Sequence, residues 1–270
     1  MIGAYYVIHY HLGALIWLLF VPIAVVLIVY VVLPLRLRRK MWHAAHPKYV
    51  PTQVEHLTPL AQEGIRRLVH ELAPDGFTVA ANLHLAAGSG VSNTAGVIVL
   101  LVNRQEQAQI SGISAVSGAN AHWAVVATTL FADGSRIVTA NSSHVSGHPR
   151  NPSVDVINVP WIRNTRRLYA IHRARVAASS RASQPRVLPD PGREAAFLED
   201  QWRDEMQRLQ RGGYYWLDDS PERYRMTLKG AYIMTWRLLP PFRQLRMALA
   251  QRKARRVLRA LGFADEADSH

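Results

Sequence analysis

The stretch "LTPLAQEGIRRLVHELAPDGFTVAANLHLA", residues 57–86, sets a helix and a strand end to end with a stop signal between them. Thr58 is an N-cap residue type and Pro59 suits the first helical position, where its missing N–H costs nothing. Leu60, Ala61, Ile65, Leu68, Val69 and Leu72 recur at three- and four-residue steps and so share one face. Pro74-Asp75-Gly76 then ends the helix. Beyond it, Phe77, Val79, Ala81, Leu83 and Leu85 alternate with Thr78, Ala80, Asn82 and His84, the pattern of a half-buried strand. A helix with one apolar face needs a flat apolar surface to cover, and this strand begins it.

The residues that follow extend that surface. "AGVIVLLVNRQ" (95–105) is a continuous apolar run short enough for a central strand, and "AQISGISAVSG" (108–118) is a weaker one with an expected interruption at Gly112. "AHWAVVATTLFADGSRIVTANSS" (121–143) contains two strand-like runs joined at Asp133-Gly134, a strong hairpin signal. Several strands joined by tight turns, with no helices between them, argue for a mainly antiparallel sheet covered by a helix: the α+β class. "WIRNTRRLYAIHRARVAASS" (161–180) returns to a helical pattern, and "SSRASQPRVLPDPG" (179–192) is rich in Ser and Pro and reads as irregular. A charged helix over "REAAFLEDQWRDEMQRLQRGG" (193–213) should end at Gly212-Gly213. Pro240-Pro241 should split the last long segment, 223–263, into two helices.

Upstream lies a different kind of segment. Residues 1–35 contain no Asp, Glu, Lys or Arg, and the run from Leu12 to Leu35 is almost wholly apolar, matching the ~20 residues that cross a bilayer core. Pro22 is tolerated in such a helix as a kink, and Tyr5, Tyr6 and Tyr10 sit at its outer end like an interfacial belt. A cleaved signal has its basic residues before a shorter apolar stretch and a small-x-small cleavage site after it. Here the basic residues Arg36, Arg38, Arg39 and Lys40 come after the apolar run. Positive-inside logic therefore predicts a single-pass inner-membrane protein, N-terminus outside and C-terminal domain cytoplasmic. His9 and His11, near the outer end, read as interfacial side chains; the alternative is axial ligation of a haem or pigment completed by a partner subunit.

The expected organisation is a transmembrane anchor (1–35), a basic juxtamembrane linker (36–53), the α+β cytoplasmic domain (54–183), a linker (184–192) and a basic helical C-terminal region (193–270). The net charge of +13 is unevenly spread. Residues 54–158 hold five basic against seven acidic side chains, whereas eleven Lys or Arg and no acid lie between Glu222 and Asp265. In the latter segment a basic amphipathic helix would dip Trp236 and Phe242 into the acyl boundary and aim Arg243 and Arg246 at anionic head groups. The competing reading packs these helices on the body with a solvated basic face.

Motifs for chemistry are few. The chain has no cysteine, which excludes disulfides, thiolate metal sites and a cysteine nucleophile. "AAGSGVSNTAG" (86–96) lacks both the P-loop ending and the G-x-G-x-x-G spacing, leaving a turn between strands. His144 and His148 lie four apart, but Gly147 and Pro149 make that segment a loop, and the H-E-x-x-H glutamate is missing. Joined by His122 and Asp155 they are the candidate constellation for a membrane-bound hydrolase acting on an amphiphilic substrate; Ser92, Ser142 and Ser143 are weaker nucleophile candidates, with no G-x-S-x-G or S-x-x-K motif around them. No metal or cofactor is expected. The arginines of 161–181 have no helix-turn-helix, RRM or zinc-finger context, so nucleic acid is not an expected partner. The leading expectation is a membrane-anchored protein whose cytoplasmic α+β domain binds or scaffolds another membrane or cytoplasmic protein beside anionic lipid. The hydrolase and an accessory subunit of a pigment- or haem-containing complex are its alternatives.

Overall fold

The computed structural model describes residues 17–18, 20–86, 95–117, 120–143, 146–218 and 222–264. It is an α+β fold with an N-terminal apolar helix, a mainly antiparallel sheet and C-terminal helices. The first helix, α1 (Phe20–Lys40), contains one π turn over Ile28–Val32. The larger sheet is built from β2 (Tyr49–Pro51), β3 (Thr78–Leu85), β4 (Ala95–Asn103), β5 (Ala108–Ser117), β6 (Asn120–Phe131), β7 (Arg136–Ala140) and β8 (Val154–Asn158), hydrogen-bonded in that order, with β9 (Arg186–Val187) on the end of β6.

Local chemistry accounts for the ends of these elements. The Ala61 N–H donates to Thr58 Oγ1 at 3.4 Å and caps α2 (Pro59–Leu72). Gly76 takes the left-handed conformation (φ 76°) that releases the chain into β3. At the β6–β7 hairpin Asp133 accepts from the Ser135 N–H at 2.8 Å. Asn164 accepts from the Arg167 N–H at 2.9 Å to start α3 (Thr165–Ala177). Leu68 and Leu72 of α2, Leu168 and Ile171 of α3, and Val99, Leu101, Ile110 and Ala127 of the sheet form the main core, which also takes in Ala254 and Leu258 of the last helix, α6 (Phe242–Ala260).

Two sheet features depart from the sequence reading. Strand β5 is not interrupted at Gly112, which stays in register with Val99 and Val125. The glycine is there for packing: a Cβ at Gly112 would stand 2.6 Å from the Trp123 ring, and one at Gly64 on α2 would stand 2.5 Å from it. The indole is held between two backbones. Strand β8 pairs in parallel with β7, and the described residues between them form no helix.

The remaining elements form a second layer. Residues 36–53, read from sequence as a linker, are the last turns of α1 followed by β1 (Trp42–Ala44) and β2. Strand β1 pairs with β11 (Arg223–Met226), which pairs with β10 (Tyr215–Asp218), to make a three-stranded antiparallel sheet. Its inner face carries His43, Tyr215, Tyr224 and Met226, buried with Met206 and Leu209 of α4 (Glu194–Arg211) and with Ala231 and Met234 of α5 (Leu228–Leu238). The C-terminal half of α1 packs on α5: Pro34 is buried, the Tyr30 and Trp236 rings lie 4.7 Å apart, and Tyr30 Oη donates to the Pro240 carbonyl at 3.3 Å. The apolar helix is thus continuous with the folded body.

Candidate functional site: the face around the apolar helix, and two polar networks

Among the described residues α1 is the one helix long and apolar enough to cross a membrane. From Phe20 to Ile28 its side chains are largely uncovered, and Arg36, Arg38, Arg39 and Lys40 are exposed around its lower end. Trp236 and Phe242 stand beside that end with rings 4.7 Å apart, 44% and 36% exposed. Leu245 and Leu249 follow on α6, 57% and 53% exposed. Arg243 is exposed on the same turn. Arg246 turns inward instead, donating to the Arg237 carbonyl at 3.2 Å and the Ser146 carbonyl at 3.1 Å. The second half of α6 packs on the body through Ala254 and Leu258, while its first half leaves apolar side chains uncovered.

A second cluster lies just below the basic collar. His43 Nε2 and His148 Nε2 sit 3.1 Å and 3.0 Å from Tyr215 Oη, so one phenol links two imidazoles, donating to one and accepting from the other. The Trp202 ring lies 5.3 Å from His43, tilted by 59°, and its indole N–H donates to the Ala44 carbonyl. Burial, helped by nearby His148, pushes the His43 pKa down to about 4; burial also lowers His148, against the pull of Glu205. Both are held neutral at neutral pH. Sequence reasoning singled out His148 but missed His43 and Tyr215; the one signal available was the "MWHAAH" run immediately after the anchor.

The third network ties α3 to the sheet. His172, fully buried with its pKa lowered by that burial to about 3, places Nε2 and Nδ1 each 3.0 Å from the hydroxyls of Thr129 and Thr139. Arg175 donates to Thr139 Oγ1, to the Val138 carbonyl and to Asp155 at 2.7 Å, and Lys253 reaches Asp155 from α6 at 2.7 Å. Burial would raise the Asp155 pKa, but the two cations outweigh it and hold the carboxylate ionised. Nearby, Tyr169 donates to Glu106, which also pairs with Arg173 at 3.5 Å.

These placements locate the sequence-derived candidates. His122 is exposed on β6, opposite Ala115. Asp155 lies opposite Ile137, itself opposite Thr129, seven residues from His122 along β6 and so roughly 23 Å away at ~3.3 Å per residue. His148 is bonded to Tyr215 in the second layer. No hydrogen bond or ion pair joins these three, and no group of three metal-ligating side chains occurs among the described residues. His144, His9 and His11 lie outside the described residues, as do residues 87–94 of the glycine-rich stretch. Several arginines of α3 and the segment after it are engaged within the body: Arg166 with Asp75 at 2.9 Å and Arg181 with Asp133 at 3.9 Å, alongside Arg173 and Arg175.

Comparison with protein-family models, with curated proteins and with solved structures returns no match.

Proposed function

We propose that the protein is a single-pass inner-membrane protein, its N-terminus outside, whose α+β body lies on the cytoplasmic side and serves as a docking platform for a protein partner at the lipid surface. The observation that carries this reading is one unbroken helix, α1, that runs from an uncovered apolar stretch at Phe20–Ile28, past Tyr30 and Pro34 packed on the second layer, to a collar of four basic residues at its end. Apolar side chains left largely uncovered from Phe20 to Ile28, within a charge-free run of the length that crosses a bilayer core, suit lipid rather than water. The collar suits the cytoplasmic leaflet. A leader removed near residue 35 would take Tyr30 and Pro34 out of contacts with the second layer, which weighs against a cleaved signal. In the body, His148, His172 and Asp155 are spent in bonds between elements, which fits a binding role better than hydrolysis.

The experiment is N-terminal peptide mapping of the protein recovered from native membranes after an alkaline carbonate wash. Peptides from residues 1–40 should be present in the membrane-retained chain. A mature chain starting beyond Lys40 and recovered in the wash would overturn the reading.

A further inference from the structure

The first half of α6 begins where α1 enters the body. From Phe20 to Ile28 α1 is uncovered, and Tyr30 stands only ~3 Å farther along the axis. Its ring lies 4.7 Å from that of Trp236, and its hydroxyl donates to the Pro240 carbonyl at 3.3 Å. The Trp236 ring lies 4.7 Å from that of Phe242, which opens α6. These ring contacts set Trp236 and Phe242 beside α1 at the level of Tyr30. A medium that surrounds α1 at Ile28 is therefore within reach of both.

Helices α1 and α5 run antiparallel. Tyr30 meets Trp236 and Pro240 at the end of α5, whereas Trp42, just after α1, pairs with Arg225, just ahead of α5. Leu228, at the start of α5, thus lies ~12 Å from Trp236 on the side away from the uncovered stretch, at ~1.5 Å per residue.

Leu245 and Leu249 follow Phe242 at three- and four-residue spacing and share its face. The opposite side of α6 is committed to the body. Ala254 and Leu258 belong to the main core, and Met247 and Gln251 face the gap toward Asn158 and Pro160. Arg246 is tied to the Arg237 and Ser146 carbonyls. The helix therefore cannot roll to cover its leucines. Trp236, Phe242, Leu245 and Leu249 together leave an apolar patch beside α1, of the kind that marks an interaction surface.

We infer that these four side chains enter the leaflet that α1 leaves, so that the first half of α6 is a second, interfacial lipid contact and fixes how the body lies on the membrane. The inference rests on the proposal that α1 crosses the bilayer. The level shared with α1 selects lipid over a protein partner or a second copy of the chain, since lipid surrounds a crossing helix on every open side. Trp favours the boundary between acyl chains and head groups. Arg243, exposed on the first turn of α6, suits the anionic head groups beside that boundary. Because α1 keeps the patch at the membrane, a modest affinity of the patch itself is enough.

The test uses the full chain in vesicles of phosphatidylcholine and phosphatidylglycerol. The chain has no cysteine, so Val25→Cys, Leu228→Cys, Leu245→Cys and Leu249→Cys each place a single environment-sensitive fluorophore. All four positions are exposed, so the labels displace no core packing. Lipids carrying a nitroxide high or deep on the acyl chain serve as quenchers. An interfacial helix sinks its apolar face about 5–10 Å, so the high nitroxide should quench the labels at Leu245 and Leu249 at least about twofold more than the label at Leu228. The label at Val25 should be quenched best by the deep nitroxide. Labels at Leu245 and Leu249 quenched no more than the one at Leu228, with Val25 still quenched, would overturn the inference and leave the anchor standing. An unquenched label at Val25 would instead overturn the anchor, and the inference with it. Blue-shifted emission at Leu245 without quenching, lost when the chain is diluted among the vesicles, would assign the patch to a second copy and sink the inference too.

Discussion

Replacing Val25 and Leu27 together by aspartate should move the protein from the carbonate-resistant membrane fraction to the wash. Each charge near the centre of a spanning helix costs about 2.5–3.5 kcal/mol in the insertion scale, so the pair reverses most of what an apolar run of this length gains from lipid. The positions are informative because both side chains are more than half exposed. A folding defect in the body therefore does not explain a loss. Leu228→Asp, at an exposed body position, is the control and should leave membrane recovery unchanged. Retention of the doubly charged variant at the parental level would mean that α1 is not what holds the protein to the membrane.

The largest expected effect on the body comes from Gly112→Ala. The new methyl would stand 2.6 Å from the Trp123 ring and 2.7 Å from Val99 Cγ1. The ring has little room to shift, because the backbone of Gly64 on α2 also lies close to it: a Cβ built there would be 2.5 Å from the indole. Overpacking of a closed site costs about 1–3 kcal/mol, measured as the shift in denaturation midpoint of the detergent-solubilised chain. Trp123→Leu should be destabilising alone yet recover part of the loss when combined with Gly112→Ala, because the clash with the indole is gone while that with Val99 stays. An additive double variant would show that the indole is not wedged between the two backbones.

What the sequence revealed and what it hid have physical causes. Helix α2 and the β6–β7 hairpin were legible because their signals are local: a cap, a period and a stop within twenty residues for the first, and an Asp-Gly turn between apolar runs for the second. The three-stranded sheet was not, since its strands are three or four residues long and β1 finds β11 across most of the chain. Gly112 read as a break because its purpose, room for Trp123, depends on a residue of the next strand and a glycine of α2. His148 was visible as a histidine in a polar loop, but Tyr215 lies 67 positions away and His43 stands 172 positions from that same phenol. Nothing in spacing announces such a junction. The uncovered face of α6 lies between these extremes. Its period is written in the sequence, yet only the burial of Ala254 and Leu258 tells which face is left outside.

The measurement that bears most directly on the central proposal is a pair of reporters fused after His270 of the full-length chain, one active only in the periplasm and one only in the cytoplasm. The expected result is a silent periplasmic reporter and an active cytoplasmic one, with the collar at Arg36–Lys40 holding the body on the inner side. A strong periplasmic signal with a silent cytoplasmic reporter would contradict it.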